Sequence, residues 1–298
     1  MNLFSISQLS RFSGIKPHTI RMWEQRYNAL HPSRSEGNTR YYDNSQLRRL
    51  LNIVSLMDSG HKVSELCAMP DQKLFQLVSQ AVQEQTPAEE RTEYFISQLL
   101  AAGMNYDEAW FEKIFSHCQL RHGIRDTYTN ILYPMLARIG LMWASDTLAP
   151  SYEHFISNLI RKKLFTAIDA LPPASPEEDA WLLFLPEDEF HELGLLLAHY
   201  LIQLSGRRVI YLGANVPLVS LQSAVDQTPA GALLTFLVHH DTPENITAYA
   251  EALTQSFPSQ KIYISGNPQL TSHLKSVKKI RSLQSVEDLE YELQQILV

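Results

Sequence analysis

Four short apolar runs, WLLFLP (181–186), RRVIYLG (207–213), GALLTFLV (231–238) and KIYISG (261–266), follow one another at intervals of about 25 to 30 residues, with helical patterns between them. Apolar runs of this length that alternate with helices predict a parallel, doubly wound sheet. A weaker strand near Ser276–Ile280 and a last helix from Val286 would complete it, so residues 179–298 are expected to form an α/β domain. In such sheets ligands sit at the carboxyl ends of the strands. The loops after the runs are therefore the first place to look for chemistry.

The rest of the chain follows other periods. Residues 88–171 contain four amphipathic helical stretches, AEERTEYFISQLLAAG, YDEAWFEKIFSHCQLRHG, IRDTYTNILYPMLARIGLMWAS and PSYEHFISNLIRKKLFTAIDAL. Short connectors between them predict an antiparallel four-helix bundle, assigned to residues 76–172. Pro150 suits the first turn of the last helix, where its missing amide costs little. Pro172-Pro173 and the acidic PEED then make a linker. Cys67 and Cys118 lie far apart with no CxxC partner, so neither a disulfide framework nor a thiolate metal site is suggested. A reducing cytoplasm is the expected compartment, because neither a signal segment nor an apolar run of about 18 residues appears.

Charge is divided unevenly. Residues 1–75 carry ten Lys/Arg against six Asp/Glu, a balance of +4, whereas the remainder carries −11 within a total of −7. A basic head on an acidic body points to a polyanion partner for the head. In the head, SISQLSRFSGIKPHTIRMWEQRY breaks at Ser13-Gly14 between two helical patterns, one with Ile6, Leu9 and Phe12, the other with Ile20, Trp23 and Tyr27. That is the pattern of a helix-turn-helix. Its second helix would project Lys16, His18, Thr19, Arg21 and Arg26 toward phosphates and base edges. A hairpin around Gly37-Asn38 would form a wing carrying Arg34, Arg40 and Tyr41, and Asp43 would cap the next helix. These residues resemble the winged helix-turn-helix of the MerR family of transcription regulators. The resemblance implies a dimer on double-stranded operator DNA. The long dimerising helix and cysteine ligands of the family's metal sensors are absent from the sequence.

EDEFHELG (187–194) begins where the first strand should end. Three readings of its histidine compete: an incidental residue at a helix start, an acid-base catalyst, or a metal ligand oriented by a carboxylate. No nucleophile motif such as GxSxG supports the second. The spacing is informative: Glu189-Phe190-His191-Glu192-Leu193-Gly194 fits E/D-x-H-x-x-G, forty residues lead to Thr235-Phe236-Leu237, and twenty-eight more to Gly266-Asn267. The series is similar to the D-x-H-x-x-G, S-x-L, G-G motifs of cobalamin-binding Rossmann-like domains. Thr235 and Asn267 depart from the serine and second glycine of that pattern. In the bundle, Trp143 precedes Glu153-His154 by nine residues. This W-x9-E-H spacing, with the order of head, bundle and sheet, resembles the light-sensing cobalamin repressors of the CarH and LitR type.

The resemblance implies roles. His191 would ligate cobalt from below with Glu189 orienting it, Thr235, Leu237, Gly266 and Asn267 would line the slot for the cofactor's displaced tail, and Gly194 would be a further cofactor-binding position. Trp143 would cover a 5'-deoxyadenosyl group, Glu153 would accept its hydrogen bonds, and His154 would come within reach of cobalt after that group leaves. The implied function is non-enzymatic: a repressor that adenosylcobalamin assembles into a dimer or tetramer on DNA and that light releases, with no membrane partner. Two alternatives remain open, a cofactor-independent regulator of the same architecture and a cobalamin-dependent methyltransferase or mutase module. His239-His240-Asp241, Arg161-Lys162-Lys163 and Arg207-Arg208 read as loop, surface or interface groups.

Overall fold

A computed structural model describes residues 3–34, 38–57, 61–83, 92–143, 149–174, 179–238 and 243–295, which fall into two compact units, 1–159 and 160–298. In the first unit, α1 (Ile6–Ser13) starts at a reciprocal capping box between Ser5 and Gln8 and stops at Gly14, whose φ of 71° ends the helix. Helix α2 (Pro17–Tyr27) opens on proline and closes at Asn28, also left-handed. Two-residue strands β1 (Ser33–Arg34) and β2 (Arg40–Tyr41) pair antiparallel as the expected wing. Asn38 takes a positive φ of 60°, and Gly37 lies outside the described residues. Helix α3 (Asn44–Met57) is capped by Asp43, which accepts from the Gln46 amide at 2.9 Å. Two helices that the sequence reading did not assign follow, α4 (Val63–Cys67) and α5 (Asp71–Gln83).

Helices α6 (Thr92–Met104) and α7 (Glu108–Thr127) come next. Helix α6 is buried continuously from Tyr94 to Met104, the pattern of a helix enclosed on all sides. It packs against α3 as well as α7, so the head and the bundle helices share one core. Helix α7 breaks at Gly123 (φ 73°), where the second and third bundle helices were expected to part. A π-helical turn at Tyr128–Leu132 then leads into α8 (Tyr133–Trp143). Pro134, lacking an amide proton, cannot continue the α ladder there. Helix α9 (Pro150–Asp169) opens on its proline as expected and crosses the division between the units.

The second unit is the parallel sheet. Its strands are β3 (Ala180–Pro186), β4 (Val209–Val216), β5 (Ala230–Leu237), β6 (Lys261–Gly266) and β7 (Ile280–Ser282), in the order β4-β3-β5-β6-β7. The last strand falls later than the Ser276–Ile280 expected for it, because a 3-10 turn at Ser272–Ser276 and a left-handed Lys279 (φ 77°) occupy that stretch. Helices α10 (Leu193–Leu204), α11 (Leu218–Gln227), α12 (Pro243–Ser256) and the short α13 (Pro268–Thr271) intervene, and α14 (Val286–Gln295) follows β7. Leu182, Phe184, Leu233, Ile262 and Ile264 form one core with Leu221 of α11 and Ala250 and Leu253 of α12. Each fully buried leucine contributes about 1.5–3 kcal/mol to this packing. Chain order reverses between β3 and β5, so the crevice of a doubly wound sheet lies at their carboxyl ends.

Candidate functional site

The loop from Pro186 to Glu192 occupies that crevice. Asp188 adopts a left-handed φ of 63°, which turns the next side chain inward. Glu189 is consequently 4% exposed, a buried carboxylate surrounded by donors. Its Oε1 accepts from the amides of Phe190 (2.9 Å) and His191 (3.0 Å) and pairs with His191 Nδ1 at 2.6 Å. Its Oε2 accepts from the Val238 amide beyond β5 at 3.0 Å. Burying a carboxylate is costly unless it is hydrogen-bonded in this way, and the bonds in turn fix the loop. The His191 side chain stands 45% exposed with Nδ1 toward Glu189, a carboxylate contact of the kind that fixes a ring's orientation.

Asn215, absent from the sequence reading, ties down the same loop. Its Oδ1 accepts from the Asp188 amide at 3.0 Å, and its own amide donates to the Glu189 carbonyl at 3.1 Å. Gly213 and Asn215 both take positive φ (79° and 56°) where β3 and β4 slip register. A glycine and an asparagine two apart at a strand end were the available signal. Glu192, one residue beyond His191, joins Tyr211 Oη at 3.0 Å and Arg161 Nε at 2.5 Å. Arg161 and Glu192 are thus ion-paired within one unit. Burial, then the Glu192 charge and hydrogen bond, pushes the Tyr211 hydroxyl far above its usual range.

The remaining motif positions divide between the two faces of the sheet. Thr235 is in register with Phe184 and Ile264, on the face covered by α11 and α12; it is 1% exposed and its Oγ1 has no hydrogen-bond partner. Phe236 points the opposite way, toward α10. A Cβ built on Gly194 would lie 2.7 Å from the Phe236 ring, so Thr235 and Gly194 do not face one gap. Gly266 (φ 127°) approaches Leu237 so closely that a Cβ would meet its carbonyl oxygen at 2.2 Å. Leu237 is buried, and its carbonyl accepts from the Asn267 amide at 2.8 Å. Asn267 does not take a positive φ, so asparagine stands there without backbone strain.

In the first unit, Glu153 accepts from Ser157 Oγ at 2.5 Å and pairs with His154 Nδ1 at 3.1 Å, with the His154 side chain 73% exposed. Trp143 ends α8; its side chain lies outside the described residues, as do His239, His240 and Asp241. In the head, Lys16, His18, Arg21 and Arg26 are exposed along α2, Thr19 is partly buried, and Arg34 is exposed on the wing. Arg40 is held by Glu24 at 3.0 Å, and Tyr42 Oη donates to the same carboxylate, which fastens the wing beside partly buried Tyr41 to α2. Arg49 was also missed: its guanidinium donates to the carbonyls of Ala29 (2.7 Å), Cys67 (2.7 Å) and Met69 (3.0 Å) and to Asp71 at 2.5 Å.

Residues 4–69 match the model of the MerR HTH family regulatory protein, and residues 95–167 match that of the B12 binding domain. The HTH-type transcriptional repressor CarA of Myxococcus xanthus is 30% identical over 274 residues, which cover 91% of this chain and 89% of that protein. The chain belongs to the CarA and CarH family of MerR-type transcription regulators. CarH of the same organism is 28% identical over 224 residues, 74% of each chain. The monomethylamine corrinoid protein of Methanosarcina barkeri shares the fold, with a TM-score of 0.54 at 14% identity over 68% of this chain and 99% of that one. The chain is accordingly a cobalamin-binding, DNA-binding regulator and not a methyltransferase or mutase. Among the described residues no helix is long and apolar enough to cross a membrane. The Glu189–His191 pair fits a cobalt ligand, and the unpartnered Thr235 hydroxyl fits a polar group brought by a ligand. Phe236 fills the gap beside Gly194.

Proposed function

We propose that this regulator is a light-responsive repressor, active in the cytoplasm, which adenosylcobalamin assembles in the dark into a homo-oligomer, a dimer or a tetramer, on its operator. The observation that carries the reading is the buried Glu189 carboxylate, which holds His191 by Nδ1 at the mouth of the sheet crevice. His191 Nε2 would be the lower cobalt ligand, and Thr235, Leu237, Gly266 and Asn267 would line the surroundings of the tail. Trp143 and Glu153 would contact the adenosyl group, and His154 would be a second candidate cobalt ligand. When bound, the cofactor supplies a cobalt–carbon bond that green or blue light breaks.

Lys16, His18, Thr19, Arg21 and Arg26 would contact the operator from α2, with Arg34, Arg40 and Tyr41 from the wing. Linked heads bind DNA better than single ones, because the second engagement is effectively intramolecular. Swinging the assembly from 99:1 to 1:99 requires about 5.5 kcal/mol of differential binding. The test is gel filtration and operator binding at one fixed salt concentration, with adenosylcobalamin, in darkness and after illumination. A larger dark species that binds the operator tightly, and a smaller lit species that does not, is the expected result. An unchanged elution volume and operator affinity would refute the light response.

Phe236 beside Gly194 favours a second reading, in which the tail slot stays closed and operator binding does not respond to cobalamin. It predicts the same operator affinity with and without cobalamin.

A further inference from the structure

The region matching the MerR model and the region matching the B12 domain model are joined inside the first unit at two places of different character. One is deep and uncharged. Gln98 of α6, 1% exposed, donates to Asn52 Oδ1 (3.1 Å) and Ser55 Oγ (2.9 Å) of α3 and accepts from Trp110 Nε1 of α7 (3.2 Å). The other is charged and partly open to water. Arg138 of α8 grips Glu93 of α6 with both guanidinium nitrogens, at 2.6 and 2.5 Å, and Nη1 reaches the Phe12 carbonyl of α1 at 3.5 Å. The side chains are 23% and 32% exposed. Phe12 lies two residues before Gly14, the left-handed turn that sets the entry of α2, and Glu93 Oε1 lies 3.8 Å from where a Cβ on Gly14 would be.

We infer that Arg138 is a positioning residue through which α8 of the ligand-binding bundle sets the turn of the DNA-reading head. The bidentate fork has one good geometry, so a shift of α8 moves Arg138 relative to Glu93 and to the end of α1. The Gln98 network keeps α3 on α6 meanwhile, since breaking it would strand buried polar groups. A displacement is therefore delivered to the turn. The inference rests on the proposed function for its consequence in the cell, but its structural content is testable without cofactor.

The experiment compares the full-length protein with Arg138→Gln, Glu93→Gln, Arg138→Lys and the double variant R138Q/E93Q. Amide hydrogen exchange at Ser13–Lys16 should speed up roughly tenfold in each Gln variant, with the double variant no faster than either single one. Arg138→Lys, which keeps the charge and loses the fork, should fall between. Exchange at α3 and α6 should stay as in the parent, which separates loss of the latch from loss of the fold. Cobalamin affinity should be retained within twofold, while the change in operator affinity on adding adenosylcobalamin shrinks at least tenfold. Unaltered exchange at the turn, or a full operator response in folded Arg138→Gln, overturns the inference. If the parent's operator affinity ignores cobalamin while the exchange results hold, the proposed function fails and the latch stands.

Discussion

Replacing Glu189 by alanine removes one acceptor group that four donors share. The amides of Phe190, His191 and Val238 lose their partner, and His191 loses its orienting contact. A buried donor left unmet costs about 1–3 kcal/mol, and water can enter beside exposed Phe190 and His191, so about 3 kcal/mol in all is the expected loss for the sheet unit. Glutamine is not a gentle replacement. Its amide presents one oxygen and one NH2, so whichever oxygen is kept, a donor faces a donor at the other, and about 2 kcal/mol should still be lost. Native-state hydrogen exchange in the full-length protein reads this directly. Amides of β3 and β5 should exchange roughly 100-fold faster in Glu189→Ala. Cobalamin affinity should fall by about 10–100-fold, the usual effect of removing the partner that orients a ligating histidine. Exchange within threefold of the parent would refute the argument that the carboxylate organises the crevice.

Three other outcomes follow from the same reasoning. Arg49→Ala strips donors from the carbonyls of Ala29, Cys67 and Met69 and should cost about 3 kcal/mol in denaturant unfolding of the first unit, with Arg49→Lys recovering part of it. Thr235→Val removes a buried hydroxyl that has no partner and should stabilise the cofactor-free protein by about 1 kcal/mol in denaturant unfolding while weakening cobalamin binding by titration. Burial, opposed in part by Gln203, holds the His199 imidazole below its ordinary 6.5, so the unfolded chain takes up that proton first; its contribution is complete above pH 6.5 and lost as pH falls, and His199→Leu should flatten that limb of the pH–stability curve.

Much of the architecture is legible in the sequence because its signals are local. Gly14 and Gly123 end helices where their φ values demand glycine, Asp43 caps α3, and the β3, β5 and β6 runs are apolar because both faces of the sheet are covered. What stayed hidden depends on partners distant in sequence. The burial of α6 on all sides follows from α3 packing against it, although apolar residues around the whole of TEYFISQLLAAGM were the hint. His191 and Glu189 could be named from spacing. The contributions of Asn215 and Val238 could not, since they reach Glu189 from the ends of other strands. Strand alternation sends residues 235 and 236 to opposite faces, a division that the motif alone does not display.

The central claim is that His191 supplies the protein's ligand to cobalt. The direct measurement is the absorption spectrum of the full-length protein titrated in darkness with adenosylcobalamin, beside His191→Ala. The account predicts a protein-bound spectrum in the parent that differs from that of the free cofactor, and a different bound spectrum in the variant. Identical bound spectra, or a parent from which the colour separates on gel filtration, would contradict it.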